Sequence, residues 1–180
     1  AAPPGRAAAG ARAAPEAAER AEAAAAYAEA APGDVVVPVL EVPATRASSN
    51  PGADRDYSTD TPPEAPLPLL DTAAAPGARG APRLPPARAS FAEQVAEYAD
   101  LLARPAVGVA LAVDARRAGE GSRAGTVGAA ELSAAIGAVG EVVRTQGLPQ
   151  TLVVVQRPGA DAVRDAAARG VGAGEGAGVV

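Results

Sequence analysis

The sequence of 180 residues lacks cysteine, histidine, methionine and tryptophan, and its 16 basic residues are all arginine. Without cysteine and histidine, a chain has no zinc finger, no disulfide framework, no thiol nucleophile and no histidine-based triad. The same absences remove most ligands of transition metals. We therefore predict that the protein holds no metal ion and no cofactor.

The composition also argues against nucleic-acid binding and against a membrane-spanning segment. The formal net charge is −5, and the arginines form no basic cluster that would neutralise phosphates. Only three tyrosines and one phenylalanine are present, too few for a platform on which bases stack. No apolar run approaches the roughly 20 residues of a transmembrane helix. We expect neither nucleic-acid binding nor a transmembrane segment.

Small residues dominate what is present. Alanine fills 51 positions, whereas Val, Leu, Ile and Phe together number 33, or 18% of the chain. Alanine buries little area at about 25 cal/mol per Å², so the hydrophobic core is expected to be small. One interpretation is therefore a largely disordered product of GC-rich sequence without a specific function. The regular periodicity between Ser90 and Val155 argues against that interpretation.

The first half of the chain alternates between ordered and irregular patterns. Residues 1–10 are predicted to be a flexible arm, and residues 11–31 have the composition of a helix. The apolar run Val35–Leu40, closed by Glu41, is typical of a strand that is buried on both faces. Residues 62–89 contain eight prolines, so we expect a poorly ordered segment without a helix or a central strand.

The second half has a clearer pattern. Ser90 and Glu93 have the spacing of a capping box, and a helical apolar face follows them. Further elements are predicted in the order strand, helix, strand and helix, at Val107–Val113, Ala129–Arg144, Leu152–Val155 and Asp161–Arg169. The glycine-rich residues 171–180 are expected to form a flexible tail.

Alternating strands and helices indicate the α/β class, with parallel βα units that resemble a partial (β/α) barrel. The length fits a single domain, which we place at residues 11–170. A partial barrel exposes the edges of its sheet, and exposed edges promote pairing between chains. We therefore predict that the isolated chain self-associates or packs loosely.

Functional groups of parallel β/α folds cluster where strands end. Glu41, Asp114 and the pair Gln156 and Arg157 occupy such positions in this sequence. Two carboxylates at strand ends have the chemistry of a general acid and a general base, so Glu41 and Asp114 are the candidate catalytic residues. The alternative is that these residues are polar only because strand ends meet solvent.

An acidic loop supplies two more candidates for binding. Tyr57 lies among Asp54, Asp56, Asp60 and Glu64, where its ring would stack on a sugar or simply anchor the loop. Several carboxylates this close together in sequence could also bind a hard cation such as calcium. Their spacing is not that of a calcium-binding loop, so we prefer to interpret the segment as a solvated turn. Asp56 and Tyr57 join Gln156 and Arg157 as predicted binding residues.

Several strings of the sequence occur together in a known order. They are Val39 to Thr45, Pro51 to Ser58, Tyr98 to Leu102 with Val107 to Leu111, Gly125 to Gly128, Ala130 to Leu132, and Leu148 to Gln150. Over about residues 20–168 they resemble a family of exported actinobacterial proteins, many of them lipoproteins, with a TIM-barrel, glycoside-hydrolase-like domain. The resemblance implies an extracellular or cell-envelope location and a glycan or cell-wall polymer as ligand.

The sequence departs from this family at the strand ends. Arg83 and Pro85 stand where the family has an aspartate and a glutamine, and an arginine cannot act as a base. Asp114 is the only acid kept from an Asp-Pro-Glu-Trp string, and Gln156 and Arg157 replace a His-Gln pair. We therefore expect a diverged or partial member that binds glycan weakly without catalysis. The alternative is a glycosidase-like hydrolase that uses Glu41 and Asp114.

Overall fold

The computed structural model describes residues 19, 22–53, 55–73, 78–119, 123–165 and 177–179. Helix α1 covers residues 22–30, within the predicted helix 11–31. The remaining elements, in chain order, are β1 (Val39–Pro43), β2 (Thr45–Ala47), β3 (Ser58–Asp60), α2 (Leu67–Ala73), β4 (Arg79–Leu84), α3 (Phe91–Glu97), α4 (Ala99–Leu102), β5 (Val109–Ala112), the 3₁₀ turn η1 (Val113–Ala115), β6 (Val127–Gly128), α5 (Ala129–Thr145), β7 (Thr151–Gln156), the 3₁₀ turn η2 (Ala160–Ala162), β8 (Val163–Arg164) and β9 (Ala177–Val179).

A parallel sheet is the centre of the fold. Its five strands lie in the order β1, β4, β5, β7 and β9, and every neighbouring pair is parallel. The predicted α/β class with parallel strands is confirmed. The order follows the chain, and β1 and β9 are the two edges of the sheet among the described residues. No helix in the described ranges is long and apolar enough to cross a membrane.

The first strand lies later in the sequence than predicted. β1 begins at Val39, after Pro38, and residues 35–38 have no regular structure. Val35 and Val37 are 89% and 42% exposed, so the valine run is not a strand buried on both faces. Pro38 explains the shift, because proline has no N–H and is tolerated best just before a strand. β1 pairs with β4 only, which makes it an edge strand of the described sheet.

The prediction of neither helix nor central strand in residues 62–89 is wrong. This segment contains α2 and also β4, which pairs with β1 on one side and β5 on the other. Gly80, two residues before Pro82, exchanges backbone hydrogen bonds with Ala106 and Gly108 on the β5 side. The nitrogen of Pro82 therefore faces β5 as well, and the β4–β5 ladder is interrupted there, between Gly80 and Arg83. A proline thus occupies a central strand at a gap in the ladder.

Helices α3 and α4 confirm the predicted capping box and apolar face. The Ser90 hydroxyl accepts a hydrogen bond from the Glu93 N–H, and the Glu93 carboxylate accepts one from the Ser90 N–H. Tyr98 separates the two helices. The predicted face is buried, and its residues are Phe91, Val95, Tyr98, Leu101 and Leu102.

Helix α5 ends as the glycine at its carboxyl end predicts. Gly147 has φ +60°, its N–H donates to the Arg144 carbonyl, and the Leu148 N–H donates to the Val143 carbonyl. These two bonds form a Schellman motif, which favours glycine at the left-handed position. The apolar face of α5 packs into the core as predicted, through Leu132, Ile136, Val139 and Val143.

The predicted helix Asp161–Arg169 is wrong where it falls within the described residues. Residues 160–162 form η2, and Val163 and Arg164 form β8, which pairs with β6. Val163 is buried by this pairing, and tertiary contact outweighs the helix propensity of its alanine neighbours. Residues 166–169 and the predicted arm 1–10 lie outside the described residues. Of the predicted tail, residues 177–179 form β9, and the others are also outside that part of the chain.

Candidate functional site

Four polar side chains from neighbouring strands meet at the carboxyl edge of the sheet. Glu41 lies on β1, Arg83 on β4 and Gln156 on β7, and Asp114 lies in η1, directly after β5. We call this set the strand-end row. It includes both predicted catalytic residues and one predicted binding residue, Gln156.

The strand register places the row on one face of the sheet. Arg83 is in register with Pro43 on β1 and with Ala110 on β5, and Gln156 is in register with Ala112. Because side chains alternate along a strand and registered residues share a face, Glu41, Arg83 and Gln156 project from the same side. The opposite side carries Val42, Leu84, Leu111 and Val153, which belong to the core cluster formed with the helices.

The row is a continuous chain of hydrogen bonds. Gln156 Nε2 donates to Glu41 Oε1 and Oε2 at 2.9 and 2.8 Å. Gln156 Oε1 accepts from Arg83 Nε at 2.8 Å, and Arg83 Nη2 donates to Asp114 Oδ1 and Oδ2 at 3.1 and 2.9 Å. A carboxylate only accepts and a guanidinium only donates, so these two neighbours determine the orientation of the Gln156 amide.

Other side chains of the row link the two predicted catalytic carboxylates, Glu41 and Asp114. Glu41 and Asp114 belong to strands two positions apart, which separates their backbones by about 10 Å at the usual spacing of strands. A glycosidase needs two carboxyl groups that face each other across the scissile bond. Here a guanidinium and an amide link the two carboxylates, and Asp114 is ion-paired with Arg83 at 2.9 Å. The assignment of Glu41 and Asp114 as catalytic residues stays a prediction.

Arg83 is the member of the row that the sequence did not identify as a candidate. The prolines around it predict no strand at this position, and the resemblance to the family presents Arg83 only as the replacement of an aspartate. One signal was available, because a helix with the capping box of α3 follows a strand in every βα unit. The segment from Arg79 to Leu84 lies shortly before α3, where the strand of this βα unit is expected.

A buried arginine holds the loop that carries Asp114. The Arg116 side chain is 7% exposed, its Nη1 donates to the Ala89 carbonyl at 2.6 Å, and its Nη2 pairs with Glu131 on α5. The Arg116 N–H donates to the Val113 carbonyl at 3.0 Å. These bonds connect η1 with the start of α3 and with α5, so they determine where Asp114 lies.

The other predicted binding residues lie apart from these contacts. The Asp56 carboxylate accepts from the N–H and hydroxyl of Ser58, at 2.7 and 2.5 Å. The guanidinium carbons of Arg88 and Arg117 lie 4.3 and 5.1 Å from the centroid of the Tyr57 ring. These two cations favour the anchor interpretation of Tyr57 over a sugar-stacking ring. Arg157 is exposed.

A polar cavity of about 420 Å³ lies beside Asp56. It is lined by Arg55, Asp56, Asp60, Arg88, Ala89, Glu93, Gln94 and Glu97. Gln94 is buried and donates from Nε2 to the Pro85 carbonyl at 2.9 Å, whereas its Oε1 has no hydrogen-bond partner among the described residues. Within the same residues no group of three or more acidic side chains is arranged to hold a metal ion, and Asp54 of the acidic loop is outside them.

Comparisons with protein-family models, with curated proteins and with solved structures find no match to this chain.

Proposed function

We propose that this protein is a non-catalytic binding domain and that its ligand is a glycan held by the strand-end row. The observation that carries the proposal is the continuous hydrogen-bonded chain from Glu41 through Gln156 and Arg83 to Asp114. Four elements converge on one edge to build it, at the position where parallel β/α folds place their ligands.

The chemistry of the row suits a ligand rich in hydroxyl groups. Glu41 and Asp114 offer carboxylate oxygens with further lone pairs, and Arg83 Nη1 makes no hydrogen bond in the described part of the chain. The row therefore presents an acceptor, a donor and an acceptor in sequence. A sugar hydroxyl both donates and accepts, and hydrogen bonds to ionised groups are the stronger ones.

The resemblance to glycoside-hydrolase-like envelope proteins supports the same ligand class. It also supports a location outside the cell or in the cell envelope. The sheet adds support, because its parallel strands follow one another in chain order, as the strands of a (β/α) barrel do. The few aromatic residues of the chain imply weak binding, since stacked rings supply much of the affinity for sugars.

Arg83→Met and Arg79→Met together test the proposal. Both arginines lie on β4 and project from the same face, but Arg79 is at the amino end of the strand, four residues from the row. Binding of wild-type protein and both variants to a glycan array and, for any hit, by calorimetry is the measurement. Arg83→Met is expected to weaken binding at least about tenfold, the equivalent of one charged hydrogen bond. Arg79→Met is expected to bind like the wild type.

Two outcomes contradict the proposal. Equal binding by the wild type and by Arg83→Met would mean that the ligand does not bind at the row. Release of reducing ends from a bound glycan, abolished by Glu41→Gln or Asp114→Asn, would instead establish the hydrolase alternative.

Self-association, expected from the sequence, is also part of the proposal. The N–H and C=O groups of Val39 and Glu41 face away from β4, because Pro38 and Ala44 are the residues that bond to it. An open strand edge of this kind pairs with a second chain. Sedimentation velocity at increasing protein concentration measures it, and a monomer with a sharp cooperative melt would contradict it.

A further inference from the structure

The charges of the strand-end row do not cancel. The row contains two carboxylates, Glu41 and Asp114, and a single guanidinium, Arg83, so its formal charge is −1. Arg83 Nη2 is 2.9 and 3.1 Å from the two oxygens of Asp114, which makes Asp114 the partner of that cation. The negative charge that is left over therefore belongs to Glu41.

Glu41 has a neutral partner. Both of its oxygens accept from the single nitrogen of the Gln156 amide, and no arginine forms an ion pair with it in the described ranges. Arg157, the nearest cation along the chain from Gln156, is exposed and forms no ion pair with any residue that the structure describes. An amide satisfies hydrogen-bonding capacity but brings no positive charge, so a half-buried carboxylate keeps an uncompensated charge.

A ligand that brings a cation to Glu41 would complete the row. From this charge imbalance we infer that the preferred glycan is an amino sugar polymer whose amino groups are free and protonated, an inference that rests on the proposed function. The ammonium group lies against Glu41, and neighbouring hydroxyls of the sugar meet Arg83 and Asp114. A polymer of uronic acids is disfavoured, because its carboxylates meet a row of net negative charge.

Three hexasaccharides of different charge test the inference by calorimetry on the full chain. They are a β-1,4-glucosamine oligomer, a neutral β-1,4-glucose oligomer and an oligogalacturonate, compared at about pH 5.5, where amines are protonated. The glucosamine oligomer is expected to bind about tenfold more tightly than the glucose oligomer, and the galacturonate most weakly. Raising the salt to about 0.5 M is expected to reduce the preference, since ions screen partly exposed pairs.

Glu41→Gln identifies the carboxylate that is responsible. The variant keeps the size of the side chain and removes its charge, so the preference for glucosamine, measured as the ratio of the glucosamine and glucose affinities, is expected to fall to about twofold or less. Glu141→Gln is the matched control, because Glu141 is exposed on α5 and pairs with Arg144. This control is expected to keep the full preference, and thermal melts verify that both variants are folded.

The outcomes separate the inference from the proposed function. If none of the three oligomers and no array glycan binds, the proposed function fails. If all three bind equally, or if the preference survives Glu41→Gln, a glycan site stands but the inferred ammonium contact is overturned. Loss of the preference in Glu41→Gln alone supports the inference.

Discussion

The guanidinium of Arg116 and the carboxylate of Glu131 form an ion pair in which the arginine is 7% exposed and the glutamate 31%. The pair joins the loop after β5 to the first turn of α5, and the Phe91 N–H also donates to Glu131 Oε1 at 3.4 Å. The Arg116 guanidinium carbon lies 5.4 Å from the centroid of the Phe91 ring. One buried cation therefore connects three segments around the loop that carries Asp114.

Arg116→Ala is predicted to be strongly destabilising. Removal of Arg116 leaves the Ala89 carbonyl without its donor and leaves the Glu131 carboxylate without its cation, with only the Phe91 N–H still donating to it, so we expect a loss of about 3 kcal/mol in the free energy of unfolding. Chemical denaturation of the purified protein measures it. Arg144→Ala is the control, because its pair with Glu141 is exposed, and a loss of less than about 1 kcal/mol is expected there. Equal losses in both variants would contradict the role assigned to Arg116.

Gly108→Ala is predicted to disrupt the contact of β5 with β7. A Cβ at this position would lie 2.5 Å from the backbone oxygen of Leu152, which can move only if the strands separate. We expect a loss of about 1–3 kcal/mol, the usual cost of overpacking. Gly137→Ala is the matched control, because nothing lies within 4 Å of its Cβ position and the residue is in the interior of α5.

The control variant Gly137→Ala is expected to change the free energy of unfolding in the opposite direction. Alanine at position 137 favours the helix, so Gly137→Ala is predicted to raise the free energy of unfolding by about 0.5–1 kcal/mol. A thermal melt of the two variants side by side measures both. The same sign in both would show that the contact with Leu152 has no bearing on stability.

Because of Tyr98, the stability of the fold is expected to decrease at alkaline pH. Its buried hydroxyl lies 2.8 Å from the carbonyls of both Ala44 and Thr61, and burial, followed by the charges of Glu97 and Asp60, raises the pKa of its phenol. A raised pKa means that the fold favours the neutral phenol. Its contribution is complete below about pH 10, the usual pKa of tyrosine, and is lost as the pH rises beyond it.

Tyr98→Phe tests this dependence. Loss of the hydroxyl removes a proton that only one of the two carbonyls accepts at a time, and the Ala44 carbonyl keeps the Thr61 N–H as a donor, so we predict a decrease of about 1 kcal/mol at pH 7. The variant is also predicted to show a smaller loss of stability between about pH 9 and 11 than the wild type. Denaturation curves over that range measure it, and parallel pH profiles would contradict the prediction.

Because of the capping box of α3, the stability of the fold is expected to decrease at acid pH. The Ser90 N–H and then its hydroxyl donate to the Glu93 carboxylate, which lowers the pKa of Glu93 from its usual 4.5. A lowered pKa adds stability above about pH 4.5, and this contribution is lost as the pH falls through the folded pKa. Glu93→Gln is predicted to reduce the dependence on acid pH, and Ser90→Ala to cost about 1 kcal/mol at pH 7.

An exposed glutamate outside any cap is the comparison for this effect. Glu141→Gln is expected to leave the slope of stability between about pH 3 and 6 closer to that of the wild type. Urea denaturation at several acid pH values gives the slopes. If Glu93→Gln and the wild type have the same slope, the hydrogen bonds from Ser90 do not hold the carboxylate in its ionised form.

Local patterns were sufficient for the second half of the sheet and its helices. The Ser90 capping box, the apolar face of α5 and the strand at Leu152–Val155 depend on neighbours within about one turn or one strand. Each of them is present in the structure. The positions of Asp114 and Gln156 at strand ends also followed from the sequence, because both come directly after apolar runs, whereas Glu41 lies in the middle of β1, which continues to Pro43.

The tertiary structure decided what local patterns could not. Pro82 is compatible with a central strand only because its nitrogen faces a gap in the β4–β5 ladder, which is a property of three strands together. Val163 is in a strand because β6 lies beside it. Arg83 became the centre of the strand-end row for the same reason, since its partners Asp114 and Gln156 are 31 and 73 residues away in sequence. Contacts over such distances depend on strand register, which the hydrophobic pattern of one segment does not contain.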